Sequence, residues 1–483
     1  MEKEDKAVVI GGGIAGLLAS RVLSEHFAQV LIIEKDHYPE DIGPRNGTPQ
    51  ANHVHVLLMK GKQILTDLFP NLERNLLDKG AHKIDLLADA KYLLKTGWAM
   101  RFDSGMYTIA CTRQLLEYAI KNEILTNFTN IEILEETRVI ELVVDDKDNV
   151  DHQRTIVGVT TVSENTQRII YAKLLVDASG RNNETPNWLE KLGFGRPPET
   201  KVNSYIGYAT RQFRPKPSSS PNSPFNPSSN TPHSTASLKY SHQDWKVMII
   251  LTQPPDNPRM GIIYPVEKGL WWVGILGIGK TYPPTNEEGF LDFVHKLAGS
   301  EIYDAIKDAE PVSQIYGYRE NGSRKYHYEK MKNWPENFIA FGDSVSAFNP
   351  FYAQGITTAA VGSTILNKSL YDFKQKRKRK STKDLMGFAK EFQKRIAKVN
   401  SFPWMLGTSE DLRWPTTEGP SPNFVTRLMQ KYSNHVMLLG PKSRIATKSF
   451  FEMMHMVRSP LVLFHPKIIL DILLMKMVNI QKR

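Results

Sequence analysis

The sequence is poor in cysteine and has no long uninterrupted apolar run. Cys111 is its only cysteine, which excludes an intramolecular disulfide, a Cys-x-x-Cys redox pair and a cysteine cluster for iron or zinc. Any electron chemistry therefore requires a bound cofactor. No segment supplies the roughly 20 consecutive apolar residues of a membrane span. The nearest candidate, 461–478, is interrupted by a proline, two lysines and an aspartate.

The first residues also lack the apolar segment and the cleavage site of a secretory signal. Residues 1–6 are mostly charged and lead directly into an apolar run. We therefore expect a reducing, cytoplasmic compartment, with peripheral contact to a membrane through the C-terminal region as the alternative.

The composition is typical of a large globular protein with a basic surplus. The 483 residues are 41% hydrophobic and 10% aromatic, which is enough for two or three subdomains. Lys and Arg total 62 against 51 Asp and Glu, a formal net charge of +11. This surplus attracts phosphates or an anionic membrane without identifying either. The basic run at 374–380 is expected to be a solvated helix end or loop, so no nucleic-acid partner is predicted.

The periodicity of the first residues predicts a strand-helix-strand unit. Apolar runs at 7–10 and 30–33 flank a helical pattern at 14–27, which indicates a parallel pair of strands with a helix between them. Apolar or alternating runs at 139–144, 156–162 and 174–177 predict further strands, and a helix is expected after Arg113.

A glycine motif lies between the first strand and its helix. Gly11, Gly13 and Gly16 form Gly-x-Gly-x-x-Gly, in which the glycines allow a tight turn, close approach of a pyrophosphate and close helix packing. The helix N-terminus offers unpaired amides to the anion. Glu34 ends the second strand, where a carboxylate can accept hydrogen bonds from a ribose diol. The alternative is a glycine-rich turn without a ligand, but the strand, helix and acid around it favour a dinucleotide.

Two later motifs resemble those of flavoprotein aromatic hydroxylases and their relatives. Gly342 and Asp343, which follow an apolar run, resemble the second flavin motif of that group, and the segment 177–180 resembles its short middle motif. Arg113 matches an arginine that supports the flavin in those enzymes. The resemblance spans about residues 7–370 and implies FAD rather than NAD.

The second motif also has a direct physical interpretation. The Asp343 carboxylate can accept hydrogen bonds from ribityl hydroxyls, and a helix that begins near Gly355 would direct its positive end at the flavin. The alternative is structural, with Asp343 as a helix N-cap and Pro350 as a turn residue. The cofactor-binding residues predicted from all motifs are Gly11, Gly13, Ile14, Ala15, Gly16, Glu34, Lys35, Arg45, Gln50, Arg113, Val139, Asp177, Gly180, Gly342, Asp343, Gly355 and Ile356.

The motif order predicts an α/β fold. It has a glutathione-reductase-like FAD-binding Rossmann domain, an inserted antiparallel β-sheet domain for substrate and a C-terminal helical region. The FAD domain is assigned to 1–75, 103–195 and 335–375, and the helical region to 381–483. The substrate domain takes 76–102 and 196–334, because runs at 246–252, 260–266 and 270–278 predict antiparallel strands. A mobile Pro/Ser-rich loop is expected at 214–235.

A narrower resemblance is to the flavin-dependent olefin epoxidases of polyether biosynthesis, with squalene epoxidase more distant. It is carried by Asn349-Pro350-Phe351-Tyr352, by the run 207–211 and by residues 45–57. The resemblance implies non-covalent FAD, O2 and a flavin C4a-hydroperoxide that gives one oxygen atom to a double bond or ring. It also implies Pro350, Phe351, Ala353 and His53 as catalytic residues. Ala353 departs from the pattern, because relatives often carry glycine there.

His53 and His55 share one face of an extended segment, but no third ligand with metal spacing accompanies them, so no metal site is predicted. A polar wall near the flavin is preferred. Epoxidation needs an apolar, water-free pocket, for which Tyr264, Trp271 and Trp272 are substrate candidates, although core packing is the more common role of such residues.

The electron donor is not determined by the sequence. Glycines at 274, 277 and 279 lie in or after an apparent strand, so they are interpreted as sheet or bulge glycines rather than as a second nucleotide site. NADPH or NADH would therefore bind transiently, or a separate flavin reductase would supply electrons.

The leading prediction is an FAD-dependent monooxygenase that epoxidises or hydroxylates a hydrophobic polyketide or terpenoid. The alternatives are a flavin-dependent reductase or dehydrogenase of prenyl-type substrates and a non-catalytic flavin-binding partner. A halogenase is disfavoured because Trp-x-Trp-x-Ile-Pro is absent. The Met- and Leu-rich segment after 450 is expected to cap the substrate domain, with membrane contact ranked second.

Overall fold

The computed structural model describes residues 5–145, 154–216, 244–320, 322–378 and 385–481. Most of the loop predicted at 214–235, and the end of the basic run, lie outside these residues. The described residues form 13 α-helices: α1 Ile14–Leu23, α2 Met59–Leu68, α3 Leu72–Asp78, α4 Arg113–Asn127, α5 Thr185–Lys191, α6 Glu287–His295, α7 Glu301–Ile306, α8 Gly355–Lys378, α9 Phe388–Val399, α10 Ser401–Asp411, α11 Phe424–Leu438, α12 Arg444–Met454 and α13 Pro466–Gln481.

The strands belong to five sheets within the described residues. In chain order they are β1 Lys6–Ile10, β2 Gln29–Ile33, β3 His82–Asp85, β4 Ala90–Leu94, β5 Gly97–Trp98, β6 Tyr107–Ala110, β7 Ile131–Leu134, β8 Arg138–Asp145, β9 Thr155–Ser163, β10 Thr166–Tyr171, β11 Leu174–Asp177, β12 Glu199–Val202, β13 Ile206–Arg214, β14 Val247–Ile250, β15 Arg259–Val266, β16 Leu270–Gly277, β17 Glu310–Pro311, β18 Tyr316–Glu320, β19 Ser323–Tyr326, β20 Phe338–Ala340 and β21 Ser346–Ala347.

A five-stranded parallel sheet, in the order β20-β11-β1-β2-β7, carries the glycine motif. The predicted strand-helix-strand unit is present as β1, α1 and β2, with Val8 paired in parallel to Leu31. The strands are almost entirely apolar because helices cover the sheet, including α1, α4 and α8. Beside it, β8, β9 and β10 form an antiparallel three-stranded sheet.

The second large sheet has eight strands, with β13, β16, β15 and β14 in successive antiparallel pairs. The predicted antiparallel runs are therefore confirmed as β14, β15 and β16. Strand β4 joins this sheet beside β14. The sheet is therefore built from two stretches of the chain, one before and one after the 103–195 segment that the sequence analysis assigns to the FAD domain. One face packs on α6 and α7, through residues such as Phe290 and Phe293.

The C-terminal helices pack on both halves of the molecule. Helix α9 lies in the core of the parallel-sheet half. Phe451 of α12 packs against Tyr92 of β4 with 4.5 Å between ring centroids, and the backbone N–H of Met100 donates to the Gly440 carbonyl. The segment thus covers the antiparallel sheet, as expected. No helix in the described ranges is long and apolar enough to cross a bilayer.

Candidate functional site

The three predicted flavin motifs meet at one edge of the parallel sheet. Ile10 is in register with Asp177, and Asp177 is in register with Ala340, so β1, β11 and β20 end side by side. The motifs that follow these strands therefore converge, although up to about 330 residues separate them along the chain.

Two glycines of the first motif are required by close backbone contacts. Gly11 has φ of +97°, and a Cβ there would lie 2.8 Å from the Ala178 carbonyl oxygen. A Cβ on Gly16 would lie only 1.8 Å from the Gly11 carbonyl oxygen. No side chain fits in either place, so these residues fix the turn and the packing of α1.

Other glycines face open space. A Cβ on Gly13 would meet only the tip of Arg45, at 3.9 Å, and a Cβ on Gly180 would meet nothing within 4 Å. A Cβ on Gly355 would meet only an Asp343 carboxylate oxygen, at 3.9 Å. The three motifs thus share one edge of the parallel sheet, which begins at the N-terminus of α1 and has open space beside these glycines. We call this space the dinucleotide cleft.

A buried arginine stands at this cleft among three carboxylates. The Arg45 side chain is 5% exposed, with its Nε 2.7 Å from Glu117 and an Nη 3.1 Å from Glu34 and 3.6 Å from Asp36. Burial acts to lower the pKa of the guanidinium, but Glu117 and Glu34 outweigh it and the pKa is raised. Arg45 therefore keeps its charge and neutralises the acids around it.

The Glu34 carboxylate accepts hydrogen bonds from the protein backbone, which the sequence does not predict. One carboxylate oxygen accepts from the Gly12 backbone N–H at 2.6 Å, and the other accepts from the Asp36 N–H at 3.0 Å. The Tyr38 hydroxyl donates to the Gly12 carbonyl, and its ring lies 4.7 Å from the Arg45 guanidinium. A ribose diol would therefore share Glu34 with the glycine turn.

Arg113 has the features of an anion ligand. It opens α4, whose N-terminus is capped by the Thr112 hydroxyl accepting from the Leu115 N–H. Its guanidinium lies 3.5 Å from Glu117. Its buried Nε has no hydrogen-bond partner among the residues that the structure describes. A buried donor without a partner is costly, and a phosphate in the cleft would satisfy it.

Asp177 holds the turn of the middle motif from inside. Its carboxylate accepts from the Ser179 N–H at 2.9 Å and from the hydroxyls of Ser179 and Thr185, both at 2.5 Å. Burial raises its pKa. The turn is tied to the second motif because the Gly180 N–H donates to the Ser344 hydroxyl at 3.1 Å. Asp177 thus shapes the cleft through the turn.

The second motif leads into α8 through a loop at 349–353. The N-terminus of α8 lies beside Asp343, and Ile356 is buried behind it. Gln354 is 1% exposed, and neither of its amide atoms has a partner within the described ranges. Ala353 has φ of +53°, in the left-handed region that favours glycine. The position where relatives often carry glycine is therefore one at which an alanine is strained.

A buried carboxyl from the C-terminal region supports this loop. Asp411 of α10 accepts from the Asn349 amide at 2.8 Å and from the Tyr352 hydroxyl at 3.0 Å. Its second oxygen has no partner in the described part of the chain. Burial raises its pKa to about 7, and the charge of Glu410 adds to this. Asp411 is thus poised between two charge states at neutral pH.

His53 lies where the cleft meets the antiparallel sheet. Its Nδ1 is 2.8 Å from the Thr210 hydroxyl, and its ring lies 5.8 Å from that of Tyr208 and 5.7 Å from that of Tyr318. Burial lowers its pKa to about 4, and burial and the Arg113 charge lower that of His55 to about 3. Both are neutral at pH 7. The described residues contain no group of three side chains that could hold a metal.

The sheet face beside His53 is aromatic and apolar. Tyr208 of β13 is directly opposite Leu276 of β16 and Tyr318 of β18. Phe351, from the loop before α8, packs with Tyr208 and Met260 against a buried cluster that includes Leu276 and Trp414. We call this surface the aromatic wall. Gly274 allows its close approach to the His53 segment, because a Cβ there would lie 3.2 Å from a Val54 methyl.

The structure places the three predicted substrate aromatics in cores. Trp271 is 2% exposed and faces α6 and α7, on the side of the sheet opposite His53. Tyr264 and Trp272 are cross-strand partners, buried to 2% and 3%, in a core with Phe451. These placements favour packing roles over contact with a ligand.

The remaining predicted cofactor residues lie around the cleft at several depths. Ile14 is buried at the start of α1, and Ala15 is half-buried beside Gly342. Lys35 is exposed after β2, while Gln50 is half-buried in a short 3-10 helix, Pro49–Asn52. Val139, at the start of β8, is half-buried against the main core.

Three features of the site escaped the sequence. Tyr38 covers Gly12 from a loop without periodicity. Tyr208 and Tyr318 come together only through strand pairing. The one available signal is Tyr316-Gly-Tyr318, whose alternation is typical of a strand with aromatic side chains on one face. Asp411 lies within a helix, where an acid is ordinarily assigned to the solvent face.

No protein-family model matches the sequence. Protein Rv3254 of Mycobacterium tuberculosis (strain ATCC 25618 / H37Rv) is 27% identical over 434 residues, covering 87% of this chain and 83% of that protein. Among solved structures, the flavin-dependent brominase Bmp2 has a TM-score of 0.59 at 15% identity, covering 91% of this chain and 94% of its own.

PqsL of Pseudomonas aeruginosa, described as a probable FAD-dependent monooxygenase, has a TM-score of 0.58 at 15% identity and covers 85% of this chain and 97% of its own. The flavin-dependent halogenase CmlS has a TM-score of 0.59 at 16% identity, and the match covers 95% of this chain and 77% of CmlS. The chain thus has the mixed α/β fold of FAD-dependent monooxygenases and flavin-dependent halogenases.

Proposed function

We propose that the chain is an FAD-dependent monooxygenase that transfers one oxygen atom of O2 to a hydrophobic polyketide- or terpenoid-like substrate, by epoxidation or hydroxylation. The observation that carries the proposal is the convergence of three motifs on one edge of the parallel sheet, from which the loop at 349–353 brings Phe351 to the aromatic wall. The mixed α/β fold shared with such enzymes supports it.

The residues of the cleft fit FAD. The α1 N-terminus at Gly13, where a Cβ would meet only the tip of Arg45 at 3.9 Å, leaves room for a pyrophosphate. Arg45 provides positive charge for the same anion, and so does Arg113, whose Nε has no hydrogen-bond partner among the described residues. Asp343 stands at the N-terminus of α8, where ribityl hydroxyls can donate to its carboxylate. FAD bound here and reduced by NADPH, NADH or a separate reductase would supply the electrons that activate O2.

The protein's own contribution at the reacting end is to exclude water and to position the substrate. His53 is neutral at pH 7, so it offers a hydrogen bond without a charge beside an apolar substrate. Phe351, Tyr208 and Leu276 provide the apolar surface. Asp411 holds the loop that carries Phe351 by accepting from Asn349 and Tyr352.

A second candidate is a flavin-dependent reductase or dehydrogenase of a prenyl-type substrate. It uses the same cleft and the same apolar wall but needs no O2. The aromatic wall supports a reductase as well as a monooxygenase, because the proposed substrates of both enzymes are hydrophobic. The two functions differ in the fate of oxygen, and that difference can be measured.

The test uses the full chain loaded with FAD. The protein receives NADPH, a lipophilic polyene and isotopically labelled O2, and the products are analysed by mass spectrometry. We expect one labelled oxygen atom per product molecule. A Gly13→Ala variant, which keeps the turn but narrows the cleft, serves as the matched control and should give no product.

The other outcomes separate the alternatives. A product that has gained hydrogen and no label would support the reductase. A halogenated product when bromide is added would instead support a halogenase. A colourless protein that does not bind offered FAD would refute all of these functions together.

A further inference from the structure

The last helices build a layer with an unusual outer surface. Helix α11, a 3-10 turn at Pro460–Phe464 and α13 pack around a small core that includes Val436, Leu463, Ile468 and Ile472. Tyr432 fastens the layer, because its ring stacks on Phe464 at 4.7 Å and its hydroxyl donates to the Leu463 carbonyl at 2.6 Å. The layer is therefore folded and held in place.

The outward side of this layer is apolar. On α13, Ile468 and Ile472 point inward, yet the remaining positions between 469 and 477 are mostly large apolar residues exposed to solvent. A surface helix ordinarily carries polar residues there. The exposed apolar side chains of the layer are Phe424 79%, Val425 64%, Leu428 54%, Leu438 39%, Leu461 74%, Phe464 40%, Ile469 39%, Leu470 54%, Leu473 53%, Leu474 51% and Met477 60%.

The same surface is basic. Residues 424–477, all of which the structure describes, contain eight Lys or Arg and two acids. Neither acid is on the exposed surface: Asp471 is half-buried and accepts from Ser443 at 3.2 Å, and Glu452 is 15% exposed. Lys467 and Lys476 stand exposed beside the apolar residues of α13, and Arg427 and Lys431 beside those of α11.

A surface that is both apolar and basic favours one kind of partner. A second copy of the chain would bring basic residues against basic residues, which opposes self-association through this face. An anionic bilayer satisfies both properties, because its acyl boundary covers the apolar side chains and its headgroups pair with the lysines, whose stems extend toward them.

We propose that the outer face of α11, the 460–464 turn and α13 docks on the surface of an anionic phospholipid bilayer. No described helix can cross a bilayer, so the layer lies in the interface.

The docking surface is one helix away from the proposed active site. Phe402 and Leu406 of α10 pack on the core of the layer. On the same helix, a Cβ on Gly407 would lie 3.0 Å from the Tyr352 ring, and Asp411 accepts from the Tyr352 hydroxyl. A lipophilic substrate taken from the bilayer would thus reach the loop beside the cleft. Only this delivery role rests on the proposed function; docking does not.

The experiment is sedimentation of the full chain with large unilamellar vesicles. One set is phosphatidylcholine alone, and the other contains about one third phosphatidylglycerol. We expect sedimentation with the anionic set. The double variant Leu470→Ser/Leu474→Ser should weaken binding by at least about tenfold, and Lys467→Ala/Lys476→Ala by about tenfold at low salt.

A control double variant, Ile169→Ser/Tyr171→Ser, removes comparably exposed apolar residues from β10, which belongs to the other half of the molecule. It should bind as the wild type does. The proposal is overturned if neither vesicle set binds the chain, or if the Leu470/Leu474 variant binds equally well. It is also overturned if ultracentrifugation shows a dimer that this variant disrupts. The assay involves no flavin chemistry, so its result is independent of the enzymatic test.

Discussion

The edge of the parallel sheet and the aromatic wall border the same site, but different forces build them. The edge consists of backbone turns, glycines and buried charges. Its contacts are so close that one added carbon atom would prevent the chain from packing. The wall consists of side chains from paired strands, where shape and apolar area matter more than any one atom. A cofactor that is the same in every turnover suits the first construction, and a variable hydrophobic substrate suits the second.

The two regions should therefore differ in how well they tolerate substitutions. Substitutions at the edge should abolish folding or cofactor binding outright. Substitutions in and behind the loop that joins the edge to the wall should change stability and pH dependence by smaller amounts. The following variants test that order, from the largest expected effect to the smallest.

Gly16→Ala should prevent folding, because its Cβ would lie 1.8 Å from the Gly11 carbonyl oxygen. We expect a loss of more than about 4 kcal/mol and little soluble protein. Gly13→Ala should fold, because Gly13 has φ of −68° and open space beside it. Its affinity for FAD should fall by about 100-fold or more. Circular dichroism and FAD titration measure the two effects, and normal FAD affinity in Gly13→Ala would contradict a pyrophosphate at α1.

Arg45→Met should destabilise the fold by about 3–5 kcal/mol at pH 7, because Glu34, Asp36 and Glu117 lose their shared cation. Urea unfolding measures this loss. Arg45→Lys keeps the charge and is the matched control. An equal deficit in Arg45→Lys would mean that packing, rather than charge, is the role of Arg45.

Asp411→Asn should alter the pH dependence of stability. Burial raises the pKa of Asp411 in the folded protein to about 7, from an ordinary value of 3.8, so its stabilising contribution is fully present below about pH 4 and is lost as the pH rises through 7. The variant cannot ionise and should be more stable than the wild type at pH 8, by up to about 4 kcal/mol. Urea unfolding at several pH values measures it. Glu410 and Arg413 are present in both proteins, so the difference isolates Asp411.

A positioning role of Asp411 requires a second readout. The absorption spectrum of bound FAD in the wild type should shift between pH 6 and 8, because ionisation perturbs the 349–353 loop, and the shift should be absent in Asp411→Asn. Equal spectra in both proteins at every pH would limit Asp411 to a structural role.

Ala353→Gly should have the smallest effect. Relief of the left-handed conformation at φ of +53° should raise the free energy of unfolding by up to about 1 kcal/mol, offset in part by the greater entropy of glycine in the unfolded chain. Ala353→Val, with a branched Cβ, should lower it. A gain for the valine variant would mean that the loop is not held in this conformation.

The sequence predicted the edge better than the wall. Gly11, Gly16 and Glu34 stand at spacings that a dinucleotide turn requires, and strand periodicity identified β1, β2 and β11. These signals are local, because each depends on residues a few positions apart. The engagement of Glu34 with Gly12 and Arg45 was not predicted, since it depends on a loop that returns from position 45.

The wall was harder because its residues become neighbours only through the register of long-range strand pairs. Tyr264, Trp271 and Trp272 were predicted because a pocket for a hydrophobic substrate should be apolar and aromatic. In the sheet, alternation sends Trp271 to the opposite face and places the other two beneath α12. Tyr208, which lines the wall, lies in a segment that the resemblance had already marked.

The order of strands in the parallel sheet has a consequence for biosynthesis. Strand β1 stands at the centre, and β20, which completes the edge, begins only at Phe338. A ribosome that adds about 5–20 residues per second reaches this strand late. During that interval the nascent chain lacks the strand that completes the proposed FAD-binding edge. The proposed FAD-binding edge is therefore complete only once residues up to Ala340 have been made.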